Sequence, residues 1–199
     1  MQKYKHNHDC PFEAFITNLG KYNEGEMVGE WVTFPTTADH IKEVFRRIGI
    51  NCYYEEWFIS DYNINIEEID PLVLGEYANL DDLNALAIEI NKMNEQETKK
   101  YIAILKDGNY SCTLQDLISA AKNLNSFYVD FDIRNYEDLG RNYMKHIKIC
   151  NSSNNCEILF YIDYEKLGKD LSLKEGGTIT EKGYVVERHN INDIRESRS

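Results

Sequence analysis

Adjacent acidic residues are the first places in the chain where chemistry could occur. Glu55 and Glu56 stand side by side, and two carboxylates held close together can serve as a general acid and a general base. The surrounding residues predict a strand, in which neighbouring side chains point to opposite faces. We therefore expect these two carboxylates not to act together, and we find no pair that would converge across a cleft as a glycosidase requires.

Two further groups resemble metal ligands by residue type. Asp130 opens a stretch that begins like a calcium loop, but Arg134 stands at the third acidic position and the turn glycine is missing. His6, His8 and Cys10 could lie along one extended segment, although the fourth ligand of a zinc site is absent. The sequence therefore predicts no metal site.

The motifs of nucleophilic and nucleotide chemistry are absent from the sequence. It contains no Gly-x-Ser-x-Gly, no phosphate-binding Walker loop and no dinucleotide fingerprint. Its five cysteines are scattered, whereas redox and zinc sites use close pairs. We expect a protein without catalytic residues, cofactor or metal, and therefore not an enzyme.

The net charge of −12 indicates the kind of partner that the chain can bind. Nucleic acid and anionic membranes would be repelled, whereas a cationic protein surface would be attracted. No stretch approaches the about 20 apolar residues of a membrane span, and the polar first residues lack the apolar core of a signal segment. We expect a cytoplasmic protein that binds neither nucleic acid nor membrane.

Acidic residues stand beside aromatic residues in several segments, among them 53–57, 136–138 and 163–165. Nucleic-acid-binding proteins mix aromatic residues with Lys and Arg, so the sign of the charge is reversed here. Carboxylates three or four residues apart on a helix lie about 5–6 Å from each other, dense enough to imitate a polyanion. A solvated acidic face with tyrosines in the core explains the pattern too, and charge alone does not choose between them.

Periodicity predicts the elements that position these side chains, beginning with residues 12–66. Phe12–Asn18 alternates apolar and polar residues, as a half-buried strand does, and Glu30–Phe34 predicts a second strand. An acidic glycine loop separates them. Thr36-Thr37 can cap a helix, and Tyr53–Ile59 predicts a third strand. This region therefore predicts an N-terminal α+β domain.

The rest of the chain predicts a helical domain and then a second α+β domain. In residues 67–111, Asn79 can cap one helix and Asn94–Glu97 resembles the capping box of another. Residues 112–187 predict helices capped by Thr113, Asn135 and Asp163, strands at 127–133 and 158–162, and a hairpin at 178–186. We expect residues 1–11 to be a flexible head and residues 188–199 a flexible tail.

The glycine loop and its flanking strands resemble a known family. The run Phe15–Trp31, FITNLGKYNEGEMVGEW, is similar to the start of the ArdA antirestriction proteins, which are carried by conjugative plasmids and transposons. The similarity continues at Ile48–Ile50 and Tyr54–Tyr62, and it returns at Tyr161–Leu171. These segments follow the family's order through the body of the chain.

The resemblance implies a fold, a partner and a mechanism. The fold would be an elongated α+β chain of three small domains, two α+β units flanking the helical one, and the chain would form a homodimer. The protein would mimic bent B-form DNA and competitively block the DNA-binding groove of type I restriction-modification enzymes, mainly on the methyltransferase core. The family's antirestriction motif, near the dimer contact, would fall in Asn135–Met144, with candidate residues Tyr136, Glu137, Asp138, Leu139 and Tyr143.

In this interpretation the glycines let the acidic loop turn tightly, and its glutamates stand where phosphates would lie. The candidate DNA-mimic surface comprises Glu24, Glu26, Glu30, Glu55, Glu56, Asp61, Glu67, Glu68, Asp70, Glu76, Asp81 and Asp82. An acidic adaptor that binds another basic DNA-associated protein is an alternative. A hydrolase that depends on one or two carboxylates is another.

Overall fold

The computed structural model describes residues 6–146 and 157–188 as an α+β protein. Within these residues, the strands form two separate three-stranded antiparallel sheets, and the remaining elements are helices. Contacts divide the chain into two compact units. The first unit ends its main segment at Thr98 and also includes Asn109–Lys122, and the second comprises Lys99–Gly108 and the chain from Asn123 onward. The predicted division into three domains and the elongated shape stay predictions.

The first sheet has the strand order β2-β1-β3. The elements up to Lys122 are, in chain order, β1 Phe12–Asn18, α1 Leu19–Asn23, β2 Gly29–Phe34, α2 Ala38–Arg47, β3 Trp57–Ile64, α3 Pro71–Leu74, α4 Leu80–Asn91, α5 Glu95–Lys106 and α6 Leu114–Lys122. The part of α5 from Lys99 onward belongs to the second unit. Strand β1 pairs antiparallel with both neighbours, and the stacked rings of Phe12 and Phe34 face each other across the β1–β2 pair at 5.5 Å. A β-bulge between Phe15 and Ile16 shifts the register against β3.

Strand β1 confirms the predicted strand but not its predicted half-burial. Glu13 and Thr17, on its polar face, are as fully buried as the apolar side chains opposite. The Glu13 carboxylate accepts hydrogen bonds from Asn63 Nδ2 at 3.0 Å, Thr33 Oγ1 at 3.3 Å and the backbone N–H of Asn7 at 3.2 Å. A buried carboxylate needs such partners, so the polar face of a central strand becomes a hydrogen-bonded layer that anchors the residues before β1.

The second unit has the strand order β4-β6-β5. Its bounds are a 3-10 helix at Leu124–Ser126, β4 Phe127–Asp130, α7 Tyr136–His146, a 3-10 helix at Glu157–Tyr161, α8 Tyr164–Glu175, β5 Thr178–Thr180 and β6 Gly183–Glu187. Helices α7 and α8 pack against each other and cover the sheet. The buried residues Ile133, Leu139, Leu171, Tyr184 and Val186 form its core.

Local signals in the sequence located the longer helices α2, α4, α5, α6, α7 and α8 and the final hairpin, whereas the short helices α1 and α3 were not predicted. The side chains of Thr37, Asn79 and Asp163 cap α2, α4 and α8 as predicted. The capping box before α5 is complete, because Asn94 Oδ1 accepts from the N–H of Glu97 at 3.0 Å and the Glu97 carboxylate accepts from the N–H of Asn94 at 3.0 Å.

Three predicted strands differ from the structure. Residues 158–162 are not a strand, because Glu157–Tyr161 forms a 3-10 helix whose Phe160 and Tyr161 are exposed and join neither of the two sheets in the described part of the chain. Strand β4 stops at Asp130, where the carboxylate accepts from the N–H of Asp132 and turns the chain. The third strand of the first sheet begins at Trp57, not at Tyr53. None of the described helices has the length and apolar character needed to cross a bilayer.

Candidate functional site

The acidic glycine loop folds into the short helix α1 and a tight turn. Asn18 caps α1 by accepting from the N–H of Lys21 at 3.0 Å, and its side-chain amide donates to the carbonyl of Ile48 at 3.1 Å. Gly25 has φ 87°, a conformation that glycine adopts without steric cost. The turn therefore holds Glu24 and Glu26 in defined positions, which the sequence did not show.

Both glutamates of this turn lie beside Lys21. The ammonium of Lys21 is 3.3 Å from the carboxylate of Glu24 and 3.5 Å from that of Glu26. The Tyr54 hydroxyl also donates to Glu24 at 2.8 Å. These hydrogen bonds, first from Tyr54 and then from Lys21, hold the pKa of Glu24 below its usual value. The turn is acidic by composition, but part of its negative charge is already compensated.

The Glu30 carboxylate is bound by Arg47 through both of its oxygens. Arg47 on α2 donates from Nε and Nη2 to the two carboxylate oxygens at 2.8 and 2.7 Å, the fork geometry that is strongest for Arg–carboxylate pairs. The hydrogen bonds from Arg47 hold the pKa of Glu30 below its usual value. We use the name paired loop for the carboxylates of Glu24, Glu26 and Glu30, which lie in the turn and at the start of β2. Each of them has a Lys or Arg side chain of this protein beside it.

A second group of candidate carboxylates is exposed and has no cation beside it among the described residues. We define this group as the open acidic set, which comprises Glu55, Glu56, Asp61, Glu67, Glu76 and Asp81. Asp70 is also exposed but caps α3 by accepting from the N–H of Leu72 at 2.8 Å. Glu68 and Asp82 are half-buried. All the candidate mimic residues lie in the first unit.

Glu55 and Glu56 are both exposed, and the strand predicted to point them to opposite faces does not include them. They precede β3, which begins at Trp57, so the alternation of a strand does not apply to them. Backbone hydrogen bonds hold this part of the chain, because the carbonyl of Glu56 accepts from the N–H of Leu19 at 3.0 Å. Likewise the carbonyl of Glu76 accepts from the N–H of Ile59 at 2.7 Å.

Asp81 is held by the start of α4. Asn79 Oδ1 accepts from the N–H groups of Asp81 and Asp82 at 2.8 and 3.4 Å. Acidic side chains in the first turn of a helix interact favourably with its dipole. Much of the open acidic set is therefore attached to ordered backbone, as a rigid array of negative charge requires.

The predicted motif segment of the second unit is arranged differently. It forms α7, in which Leu139 is buried in the core and Tyr143 packs against the same cluster. A Cβ at Gly140 would overlap the backbone carbonyl of Tyr164, and a Cβ at Gly168 would overlap that of Tyr136. The two glycines therefore let α7 and α8 cross with their backbones in contact.

Charges around this crossing are compensated within the unit. Arg141 donates to Glu137 at 2.6 and 2.9 Å and lies 4.3 Å from the centre of the Tyr164 ring. Lys169 bonds Glu165 and lies 5.8 Å from the Tyr136 ring. Asp138 accepts from the N–H of Arg134 at 3.1 Å before α7. Of the predicted motif residues, Leu139 and Tyr143 therefore belong to the core of the second unit, while Glu137 and Asp138 make local contacts at the start of α7.

The sequence did not reveal a groove of the first unit between α2, the start of β3 and the start of α4. Phe45, Trp57 and Tyr77 line it, together with the acidic Asp81. Tyr77 stands beside Glu76 in the sequence, and that aromatic–acidic pairing was the available signal. Within the described residues, no group of three or more His, Cys, Asp or Glu side chains could hold a metal ion.

Comparison with known proteins gives one positive finding. A family model described as Antirestriction protein (ArdA) matches residues 14–186. This range includes every candidate mimic residue and the whole of α7. A search of curated proteins found no significant match.

Proposed function

Because the chain belongs to the ArdA family of antirestriction proteins, we propose that it blocks type I restriction-modification enzymes by presenting carboxylates in place of DNA phosphates. The site would be the DNA-binding groove of the enzyme, mainly on its methyltransferase core. The protein would act by occupying that groove, without catalysing a reaction and without a cofactor. Because such enzymes act on DNA inside the cell, we place the protein in the cytoplasm.

The open acidic set is the observation that carries this proposal. Its six carboxylates are exposed and have no cation beside them in the described part of the chain. A groove that binds duplex DNA must be basic, because DNA carries about one negative charge per 1.7 Å of its axis. Carboxylates that are already fixed in position attract such a groove and speed association.

The energy of this recognition should be spread over many contacts. An exposed ion pair contributes only about 0.2–1 kcal/mol, because both partners remain solvated and screened by salt. Single substitutions in the open acidic set should therefore have small effects, while the whole array should matter. Binding should weaken as salt rises, since the Debye length falls from about 10 Å at 0.1 M to about 3 Å at 1 M.

A homodimer belongs to the same proposal, and the second unit exposes large apolar side chains that would contribute to its interface. Phe160, Tyr161 and Leu173 are 87%, 88% and 82% exposed. Large exposed apolar side chains of this kind often mark interaction sites. Sedimentation equilibrium across a concentration series would test this part, and a monomer mass at every concentration would contradict it.

A DNA competition experiment tests the mechanism directly. A fluorescent duplex with a type I recognition site is bound to the purified methyltransferase core, and the protein is titrated at two salt concentrations. We expect displacement near stoichiometry that weakens at the higher salt. Failure to displace DNA at micromolar protein would contradict mimicry for that enzyme and favour the acidic adaptor.

A further inference from the structure

The groove beside α2 has the dimensions of a binding site. It is an open depression of about 530 Å³, a volume within the range of about 300–1,000 Å³ that is usual for ligand pockets. It lies wholly in the first unit, between α2, the start of β3 and the residues that lead into α4. Its walls are largely apolar, with Ile41, Phe45, Trp57, Tyr77 and Leu80.

Aromatic rings dominate these walls. The rings of Phe45 and Trp57 lie 5.5 Å apart at an angle of 34°. Tyr77 is 70% exposed, and its ring centre lies 6.4 Å from that of Phe58. The fold therefore holds aromatic faces at the surface around an open space, where they can receive a planar or cationic group.

The charge available in the groove is negative. Its lining contains two charged side chains, Asp81 and Lys42. The Lys42 ammonium lies 3.2 Å from the carboxylate of Asp39, which compensates its charge. The Asp81 carboxylate has no partner in the described part of the chain, and the oxygen of neighbouring Asn79 already accepts two backbone N–H groups. A cation bound in the groove would pair with the Asp81 carboxylate.

We propose that this groove receives an arginine side chain of the basic partner protein, with the guanidinium against Trp57 and Tyr77 and its N–H groups donating to Asp81. Arginine fits better than lysine, because its planar guanidinium stacks on aromatic rings and donates in a fork to a carboxylate. Lysine carries a compact, strongly hydrated charge that stays in water more readily. The identity of the partner rests on the function proposed above.

This contact would add a localised attachment point to the diffuse attraction of the open acidic set. Diffuse charge mainly speeds association, whereas differences in affinity between related complexes arise mostly from the dissociation rate. Loss of the groove contact should therefore accelerate dissociation and leave the salt dependence of association nearly unchanged.

Nuclear magnetic resonance can test the groove without any restriction enzyme. The chain has two tryptophans, Trp31 and Trp57, so the labelled protein gives two indole N–H signals that a Trp31→Phe variant assigns. N-acetyl-arginine amide is titrated against N-acetyl-lysine amide at constant ionic strength. We expect the arginine probe to shift the Trp57 signal more than the lysine probe does, to leave Trp31 unmoved, and to lose its effect in Asp81→Asn.

Equal shifts with both probes, or no shift at Trp57, would overturn the proposal. A second measurement uses the DNA competition with Tyr77→Ala and, as the matched control, Tyr53→Ala, whose ring is 88% exposed and lies outside the groove lining. We expect Tyr77→Ala to weaken displacement by about 2- to 30-fold, the range of cation–π energies, and the control to match the wild type. Equal behaviour of the two variants would also contradict the groove contact.

The two measurements separate the two proposals. If wild-type protein displaces DNA while Trp57 ignores the arginine probe, the groove inference fails and the mimic function stands. If the arginine probe binds at Trp57 but no DNA is displaced, the proposed function fails for that enzyme and the groove remains an arginine site.

Discussion

The open acidic set of the first unit and the first turn of helix α7 in the second unit both carry carboxylates, but the fold uses their charges differently. Glu55 and Glu67 are exposed with no cation beside them among the described residues. Glu137 of α7 is bound by Arg141 at 2.6 Å, and Asp138 accepts from the backbone of Arg134. Acidity in a sequence therefore indicates how many carboxylates exist, and the tertiary structure decides how many remain available to a partner.

Neutralising the whole open acidic set should have the largest effect on binding. With Glu→Gln and Asp→Asn at all its positions, six exposed ion pairs at about 0.5 kcal/mol each would be lost, which corresponds to roughly 100-fold weaker DNA displacement. The control converts carboxylates that already have a cation, namely Asp39, Glu43, Glu89, Glu137, Glu165 and Glu181. It changes the net charge equally, so an equal loss in both variants would refute the distinction between open and compensated carboxylates.

A methyl group at the α7–α8 crossing should be the most damaging single change to the second unit. Gly168→Ala raises helix propensity by about 1 kcal/mol, yet its Cβ would overlap the carbonyl of Tyr136. We expect a net loss of about 1–3 kcal/mol in the free energy of unfolding, as for overpacked cores, measured by urea denaturation. The exposed Lys174→Ala on the same helix is the control. Unchanged or increased stability of Gly168→Ala would show that the helices do not need this close approach.

Releasing a carboxylate of the paired loop should strengthen binding slightly. Arg47→Gln removes the guanidinium that holds Glu30 and frees a negative charge on the same unit as the open acidic set. We expect DNA displacement to improve by about 2- to 5-fold at low salt, the value of one exposed ion pair. The control Arg46→Gln removes the same charge from α2 but leaves Glu30 bound. Because Arg46→Gln frees Glu43 instead, equal gains in both variants would show that the effect is not specific to the release of Glu30.

The smallest effect is a pH dependence of stability that the Glu30–Arg47 pair contributes. Because the folded state holds the pKa of Glu30 below its ordinary value of 4.5, this stability is present above pH 4.5 and is lost as pH falls through the lowered pKa. We expect the difference in unfolding free energy between wild type and Glu30→Gln to be constant from about pH 5 to 7 and to shrink below that. A difference in unfolding free energy that grows on acidification would contradict the lowering of the Glu30 pKa in the folded state.

The helix starts could be predicted because they depend on neighbouring residues. A cap such as Asn79 or Asp163 needs only a side-chain oxygen and a backbone N–H two or three residues later. The run Ile158–Ile162 was misassigned because short apolar runs occur in strands and in other structures alike. Only a partner strand would have made it a strand, and Glu157–Tyr161 has none within residues 6–146 and 157–188.

The candidate site could be predicted in part for the same reason. The exposure of Glu76 and Asp81 agrees with their polarity, and the capping of α4 by Asn79 is local. The pairing of Glu30 with Arg47 could not be read from the sequence, because 17 residues separate them and the chain between them had to fold first. The hydrogen bond from Tyr54 to Glu24 spans 30 residues and was equally hidden.

The sequence by itself determined the acidity of the chain, its helix caps, its central strand Phe12–Asn18 and its resemblance to one family. These properties depend on residue types and on contacts within a few positions. Only the tertiary structure decided which carboxylates are open, why Glu13 is buried, and how Gly140 and Gly168 let two helices meet. Those outcomes depend on distances between residues far apart in the chain, because the free energy of a charge or a methyl group depends on what the fold places beside it.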